Sequence, residues 1–118
     1  MPSMPRVLLH AEGGVVLAAS VVAYALLGHG WGWFALLVLA PDLAMLGYLA
    51  GPRAGSVAYN AAHSYLGPGL LAAAMWWAVV PAAWWLVAIW TAHIGADRLL
   101  GYGLKYPTTF KDTHLARV

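Results

Sequence analysis

The sequence contains no cysteine and few charged residues. Of its 118 residues, 8% are charged and 63% are hydrophobic. Without cysteine the chain can form neither a disulfide nor a thiolate metal site, so a metal ion would have to be bound by histidine, carboxylate or amide groups. Soluble domains carry about 25% charged residues, so the scarcity of charge predicts a membrane protein. The length allows one domain, residues 1–118.

Clustered basic charge is also missing. The net charge is +2, but the six lysines and arginines are scattered singly and form no basic stripe with interleaved aromatic residues. We therefore expect no nucleic-acid partner.

Four hydrophobic segments dominate the chain. Each is close to the roughly 20 residues that a helix needs to cross a bilayer. They cover about residues 7–27, 33–50, 56–79 and 82–104, and a polar tail follows at 105–118. The segments are separated by "GHGWG", by "GPRAG" and by Pro81, all typical helix breakers. The predicted fold is an all-α bundle of four transmembrane helices.

The first segment could instead be a signal peptide, because Ala23, Tyr24 and Ala25 form a small-x-small triplet behind a short apolar stretch. Glu12 interrupts that stretch. We therefore expect the segment to be retained as a membrane helix.

Basic and aromatic residues mark opposite sides of this bundle. All lysines and arginines lie on the side of the termini and the middle loop, which the positive-inside rule assigns to the cytoplasm. Six tryptophans flank the two outer turns: Trp31, Trp33, Trp76, Trp77, Trp84 and Trp85. They predict an aromatic belt at the lipid headgroups, or alternatively a docking surface for another membrane subunit.

Each predicted helix carries an ionisable residue into the cytoplasmic half of the bundle. At 1.5 Å per residue, Glu12 lies ~9 Å from Arg6 along its helix. Asp42 and His63 each lie ~15 to 17 Å from Arg53. His93 lies ~18 Å and Asp97 ~12 Å from Lys105. A charge at such depth costs at least ~2.5 kcal/mol, so these groups should face one another, water or a ligand.

The spacing of these residues predicts a shared polar pocket. His93 and Asp97 are four residues apart and therefore lie on one face of the fourth helix. Asn60, His63 and Ser64 share a face of the third helix in the same way.

Two imidazoles and two carboxylates are a plausible ligand set for zinc, manganese or iron. The alternatives are a structural network in which Asp97 pairs with Arg98 or Asp42 with His63, and a proton relay through the same residues.

Three long motifs carry a family resemblance. They are "PDLAMLGYLAGPR" (41–53), "AYNAAHSY" (58–65) and "AHIGADRLLGYGLKYPTTFKDTHL" (92–115). Together they resemble the small bacterial membrane proteins of domain-of-unknown-function family 4260. The resemblance implies a multi-pass protein of the bacterial inner membrane.

The order of Pro-Asp, His-Ser and His-x3-Asp is also similar to the bacterial membrane-bound metal-dependent hydrolases. That resemblance implicates Asp42, His63, His93 and Asp97 as metal ligands. Ala58 stands where those proteins usually have a second histidine. The difference implies a weaker or different ion, or a scaffold that kept its network and lost its chemistry.

Under the hydrolase reading, His63, His93 and one aspartate hold the ion. The second carboxylate, Asp97 or Glu12, acts as general base on water. Lys105, Tyr102 and Tyr106 are expected at the headgroup level, as interfacial anchors or as contacts to a lipid phosphate.

A different class of function is a non-catalytic accessory subunit at the rim of a respiratory or photosynthetic complex. In that reading His63 and His93 are a candidate pair of axial ligands for haem iron or, by the same imidazole chemistry, for chlorophyll magnesium.

Overall fold

The computed structural model describes residues 1–78 and 83–118, and this part of the chain is helical except for turns and one isolated bridge between Lys105 and Thr113. The helices are α1 (Met4–Leu27), α2 (Trp31–Leu37), a 3₁₀ helix (Ala40–Ala50), α3 (Pro52–His63), α4 (Leu66–Ala78), α5 (Trp84–Leu100) and α6 (His114–Arg117). The predicted all-α class is confirmed. The predicted turn at Pro81, and the helix ends expected at 79 and 82, lie outside the described residues.

Two helical segments are long and apolar enough to cross a membrane. They are Met4–Leu27 and Trp31–Ala50, each with a mean hydropathy of 1.7. Three residues of the first are buried and none of the second. The core helix of a soluble protein would be mostly buried, whereas these two expose their apolar side chains. The other described helices are shorter than 18 residues.

α1 and α5 pack along a seam of small residues. A Cβ added at Gly13 would lie 2.5 Å from Cβ of Arg98 and 2.8 Å from the Gly95 carbonyl. One turn further along, the hydroxyls of Ser20 and Thr91 are hydrogen-bonded at 2.7 Å. The glycines therefore allow a close approach of the two helix backbones. Small residues allow the same kind of packing between helices in membranes.

The second predicted helix changes its hydrogen-bonding pattern at Pro41. Because proline has no N–H, it cannot continue an α-helix from α2. The Asp42 N–H bonds to the Leu39 carbonyl at 3.0 Å, a 3₁₀ contact, and the 3₁₀ form continues to Ala50.

The prediction of one continuous third helix over residues 56–79 was wrong. It begins earlier, at Pro52, and is broken after His63, where Ser64 has an extended backbone. Pro68 has no N–H to give to the Ser64 carbonyl, and that carbonyl accepts the Gly67 N–H at 3.3 Å instead. The chain therefore restarts as α4 at Leu66.

The end of the chain is folded, so the prediction of a free polar tail was also wrong. α5 stops at Leu100, where Gly101 takes the left-handed conformation that commonly ends a helix. Residues 104–118 form what we call the C-terminal cap. The cap is closed by the Lys105–Thr113 bridge and buries Leu115, which is 2% exposed. The Arg6 guanidinium donates to the Ala116 carbonyl at 3.1 Å and ties the cap to α1.

Candidate metal centre

Four side chains from three segments converge on one point. Asp42 comes from the 3₁₀ helix, His63 from the end of α3, and His93 and Asp97 from α5. Asp42 Oδ1 lies 3.0 Å from Nε2 of His63 and 3.1 Å from Nε2 of His93. Asp97 Oδ2 lies 3.5 and 3.3 Å from the same two nitrogens, which are themselves 3.1 Å apart. The structure therefore brings together all four residues that the spacing predicted as ligands.

These distances fit a small four-coordinate ion. Zinc bonds of about 2.0 to 2.1 Å in tetrahedral geometry put neighbouring ligand atoms about 3.3 Å apart. The five separations above run from 3.0 to 3.5 Å. One ligand atom from each residue lies within 4.8 Å of every other, so the four could hold a metal ion.

Backbone carbonyls fix the tautomer of both histidines. His63 Nδ1 lies 2.8 Å from the Tyr59 carbonyl, and His93 Nδ1 lies 2.6 Å from the Val38 carbonyl. A carbonyl only accepts, so each Nδ1 must carry the proton, and a neutral ring then presents a lone pair at Nε2. Two such lone pairs and two carboxylates face one another. They repel unless a cation or additional protons lie among them, and metal-binding histidines are normally oriented in this way.

The irregular backbone supplies the carbonyl that orients His93. In a regular helix the Asp42 N–H would bond to the Val38 carbonyl, four residues earlier. The 3₁₀ contact to Leu39 leaves the Val38 carbonyl free, and His93 Nδ1 takes it. The turn at Pro41 therefore sets both the carboxylate of Asp42 and the orientation of His93.

The break after His63 frees two more carbonyls, and both are satisfied by α5. Trp90 Nε1 donates to the Ala62 carbonyl at 2.6 Å. Arg98 donates to the His63 carbonyl at 3.1 Å. These two hydrogen bonds tie the ligand-bearing end of α3 to the helix that carries the other histidine.

The two histidines are more deeply buried than the two carboxylates. The side chains of His63 and His93 are 3% and 4% exposed, whereas those of Asp42 and Asp97 are 34% and 19% exposed. The ring of Tyr59 covers His63 from the other side, stacked at 3.7 Å and nearly parallel. The imidazoles are therefore shielded from the surroundings of the protein, whereas the carboxylates are partly accessible.

The sequence of the chain was compared with known proteins. A family model described as "Domain of unknown function (DUF4260)" matches residues 6–118. The chain belongs to the DUF4260 family. The comparisons with curated proteins and with solved structures gave no match.

Ala58, which stands where a second histidine was expected, lies against Gly47 of the 3₁₀ helix. A Cβ added at Gly47 would be 2.9 Å from Cβ of Ala58. The 3₁₀ helix and α3 are therefore in close contact at this position.

Glu12 is not part of the cluster, so its assignment as a general base was wrong. It lies on an exposed face of α1, outside the group of four residues that could hold a metal ion. Spacing along the chain could not predict which face of α1 is turned inward.

The three residues expected to join the network have different partners. Asn60 bonds to the backbone of Lys105, with Nδ2 2.8 Å from the carbonyl and Oδ1 2.6 Å from the amide. Arg98 bonds to the His63 carbonyl and forms no ion pair with Asp97 among the described residues. The backbone of Ser64 forms the helix break, with its amide on the Asn60 carbonyl. Their role is to hold the ligands in place.

Lys105 is buried, which corrects its assignment as an interfacial anchor. It is 6% exposed, because its backbone is held by Asn60 and paired with Thr113. Tyr102 is exposed, as expected, while the ring of Tyr106 is covered by the Arg117 guanidinium at 3.5 Å.

The tryptophans divide into exposed and half-buried groups. Trp76 and Trp77 are 79% and 90% exposed, and Trp31 and Trp33 are each about half exposed. Trp84 and Trp85 are half-buried, and Trp85 stacks on His29 at 3.8 Å. The six tryptophans therefore differ in exposure and do not form one uniform exposed group.

The geometry of His63 and His93 does not suit a haem or chlorophyll between them. Two axial imidazoles must lie on opposite faces of a macrocycle. Here the Nε2 atoms are 3.1 Å apart, and one carboxylate oxygen of Asp42 contacts both. No plane of a macrocycle fits between them.

Sequence reasoning missed the residues that support the ligands. Tyr59, Trp90 and the carbonyl of Val38 act through contacts between distant segments, which no local spacing reveals. Two signals were present: Tyr59 lies one turn before His63, and Pro68 lies four residues after Ser64, where it interrupts the helix.

Proposed function

We propose that this DUF4260 protein is a metal-dependent hydrolase of the bacterial cytoplasmic membrane. In this proposal His63, His93 and Asp97 would bind one divalent ion, a water molecule would take its fourth position, and Asp42 would act as general base on that water. The observation that supports it most strongly is the arrangement of the histidines, which both donate from Nδ1 to a backbone carbonyl and direct Nε2 to the same point. A network that served only to hold helices together would need a proton on each Nε2 so that the histidines could donate to the carboxylates, whereas one divalent ion would satisfy the same groups without these protons.

The proposed topology has four passes with both termini in the cytoplasm. α1 and the Trp31–Ala50 segment are the first two passes, α3 with α4 is the third, and α5 is the fourth. An interrupted helix is tolerated inside a membrane only if its free carbonyls find partners. The partners of the Ala62 and His63 carbonyls, Trp90 and Arg98, support an interrupted third pass.

Zinc is the first choice of ion. The separations of 3.1 to 3.5 Å among the ligand atoms of His63, His93 and Asp97 suit three ligands at zinc bond lengths, with water as the fourth. Manganese and iron are usually bound with more oxygen ligands and in larger coordination shells.

The residues of the site have different roles in hydrolysis. His63 and His93 are buried and anchored by carbonyls, so they hold the ion. Asp97 belongs to the same rigid helix as His93 and completes the ligand set. Asp42 is the more exposed carboxylate, and its Oδ1 contacts both imidazoles. We therefore assign Asp42 as the general base that would accept a proton from the attacking water. When bound, the ion would supply Lewis-acid activation of that water.

Metal content tests the proposal directly. The full chain, purified in detergent, should contain about one zinc per protein, and His93→Ala and Asp97→Ala should lose it, because each removes a ligand. Asp112→Asn, a carboxylate change outside the four-residue site, serves as the matched control and should keep the ion. Elemental analysis gives the stoichiometry. Wild-type protein that stays free of metal, with ligand variants that lose only thermal stability, would identify the four residues as a structural network instead.

Turnover tests the hydrolase assignment. The zinc-loaded protein should hydrolyse a chromogenic ester such as p-nitrophenyl phosphate or p-nitrophenyl acetate. Chelation should stop the reaction and added zinc should restore it. Asp42→Asn should lower kcat far more than it lowers zinc content, because the change removes the proton acceptor. Zinc binding without turnover of either ester would leave only a structural ion site.

The second candidate function is an accessory subunit of a larger membrane complex. The observation that favours it is the exposure of the adjacent Trp76 and Trp77, because tryptophan is enriched in the centres of protein interfaces. Extraction in mild detergent tests it. A subunit would elute with a larger complex, and Trp77→Ala would release it, whereas side chains that face lipid would leave the protein alone in its micelle.

A further inference from the structure

The ammonium group of Lys105 is held in a fixed position. Asn60 bonds to both the amide and the carbonyl of Lys105, and the bridge to Thr113 holds the same residue from the other side. The Nζ atom lies 3.7 Å from the centre of the Phe110 ring and 4.7 Å from that of Tyr59. The backbone of Lys105 is therefore fixed, and its ammonium lies against two aromatic rings.

Among the described residues, no carboxylate forms an ion pair with this ammonium. The sequence has four acidic residues. Asp42 and Asp97 contact the two histidines, Asp112 pairs with Arg117 at 2.7 Å, and Glu12 is exposed on α1. The ammonium of Lys105 lies against two rings, so a bound anion would give it the charged partner that these carboxylates do not supply.

Lys105 also neighbours the candidate metal centre. Its ammonium and the imidazole of His63 both contact the ring of Tyr59, and the charge of Asp97 acts on it. A divalent ion would balance the two carboxylates of the site. Lys105 and Arg98 would then be left as uncompensated positive charges around it.

We propose that Lys105 binds the anionic group of the substrate, and that this group is the phosphate of a phosphate ester. The inference rests on the proposed function, because the ion held by the Asp/His site would be the second group to bind the phosphate. Phosphate accepts charge-assisted hydrogen bonds through several oxygens and carries the negative charge that this site lacks.

Phosphate binding to cobalt-loaded protein tests the proposal, with inorganic phosphate as the probe. Cobalt replaces zinc because its visible absorption reports both metal binding and a change of ligand. Wild type should bind phosphate, and Lys105→Met should bind it at least about 10-fold more weakly, since a charge-assisted hydrogen bond is lost. Methionine keeps an unbranched side chain over Tyr59 and Phe110. Lys111→Met, on an exposed part of the same cap, is the matched control and should bind like wild type.

The possible failures can be distinguished. A wild type that takes up no cobalt contradicts the proposed function. A wild type that takes up cobalt, together with a Lys105→Met variant that takes up cobalt and binds phosphate like wild type, contradicts the inference alone. If Lys105→Met does not fold, wild type still decides: phosphate should change the cobalt spectrum and neutral trimethyl phosphate should not. Equal effects of the two compounds would overturn the proposal.

Two further arms distinguish the source of the phosphate. Phosphatidic acid in phosphatidylcholine nanodiscs should compete with inorganic phosphate if the substrate is a lipid, and nanodiscs of phosphatidylcholine alone provide the baseline. A soluble monoester such as glycerol phosphate should compete if the substrate comes from the cytoplasm. Competition by either supports the anion site at Lys105, and competition by neither contradicts it.

Discussion

The seam between α1 and α5 and the Asp/His site use the backbone in opposite ways. At the seam both helices are unbroken, and Gly13 and Gly95 permit a close approach of the two backbones. At the site the helices are interrupted at Pro41 and after His63, and the freed carbonyls orient or anchor side chains. In a regular helix the backbone carbonyls bond within the helix and only side chains are available for contacts. In an interrupted helix some backbone carbonyls also accept hydrogen bonds from side chains of other segments. Packing is concentrated in the first region and chemistry in the second.

The first prediction concerns the helix interruption at Pro41, whose removal would make the backbone at the site regular, as it is at the seam. In Pro41→Ala the chain regains an N–H, so an α-helical pattern can continue and the Asp42 N–H can take the Val38 carbonyl. His93 Nδ1 then loses its acceptor, and zinc affinity should fall about 10- to 100-fold, as for other outer-shell changes at metal sites. Competition with a chromogenic chelator measures the affinity.

Pro52→Ala is the control for this change, because Pro52 is the first residue of α3, where proline and alanine are both tolerated. Unchanged zinc affinity in Pro41→Ala would mean that the interruption of the helix has no part in orienting His93.

An effect of similar size, on stability rather than on zinc affinity, is expected from disturbing the seam. In Gly13→Ala the new methyl would lie 2.5 Å from Cβ of Arg98 and 2.7 Å from the Leu99 amide, so the helices must separate. Overpacking of this kind costs about 1 to 3 kcal/mol. Unfolding in a mixed-micelle titration measures the loss.

The neighbouring glycine provides a matched control. In Gly14→Ala the methyl meets only the flexible end of Leu99, at 3.3 Å, so stability should stay the same or rise slightly through better helix propensity. Equal losses in the two variants would show that the close approach of α1 and α5 is not what the seam depends on.

The smallest effect is expected at an exposed pair that belongs to neither region. Hydrogen bonds from Arg117 and Thr108 lower the pKa of Asp112 from 3.8 to about 2. Because the pKa is lower in the folded protein, the pair stabilises the cap fully above pH 3.8 and loses its effect as the pH falls through about 2. The carboxyl ¹³C resonance of Asp112 should titrate near 2, and Arg117→Gln should move the midpoint towards 3.8. A wild-type midpoint already near 3.8 would contradict the ion pair.

The four candidate ligands could be found from the sequence because an approximate rise per residue and helical periodicity were enough to group them. Counting residues from the basic ends brought Asp42, His63 and His93 to similar depths, and the i, i+4 rule joined Asp97 to His93. The same count included Glu12, which has a suitable depth but lies on an exposed face. Depth follows from the chain alone, whereas the face that a helix turns inward depends on its neighbours.

The folded cap illustrates the same limit. Its composition is polar, which favours a solvated tail, and only the hydrogen bonds of Asn60 and Arg6 to its backbone make it part of the structure. Those partners are 45 and 110 residues away along the chain.

The sequence by itself determined the helical class, the apolar segments and the four candidate ligands, since each follows from composition or from short-range periodicity. The tertiary structure decided the tautomers of the two histidines, the exclusion of Glu12 and the burial of Lys105. All three depend on contacts between segments that are distant in the sequence. The spacing of residues within one helix does not reveal which carbonyls are left free or which side chains bond to them.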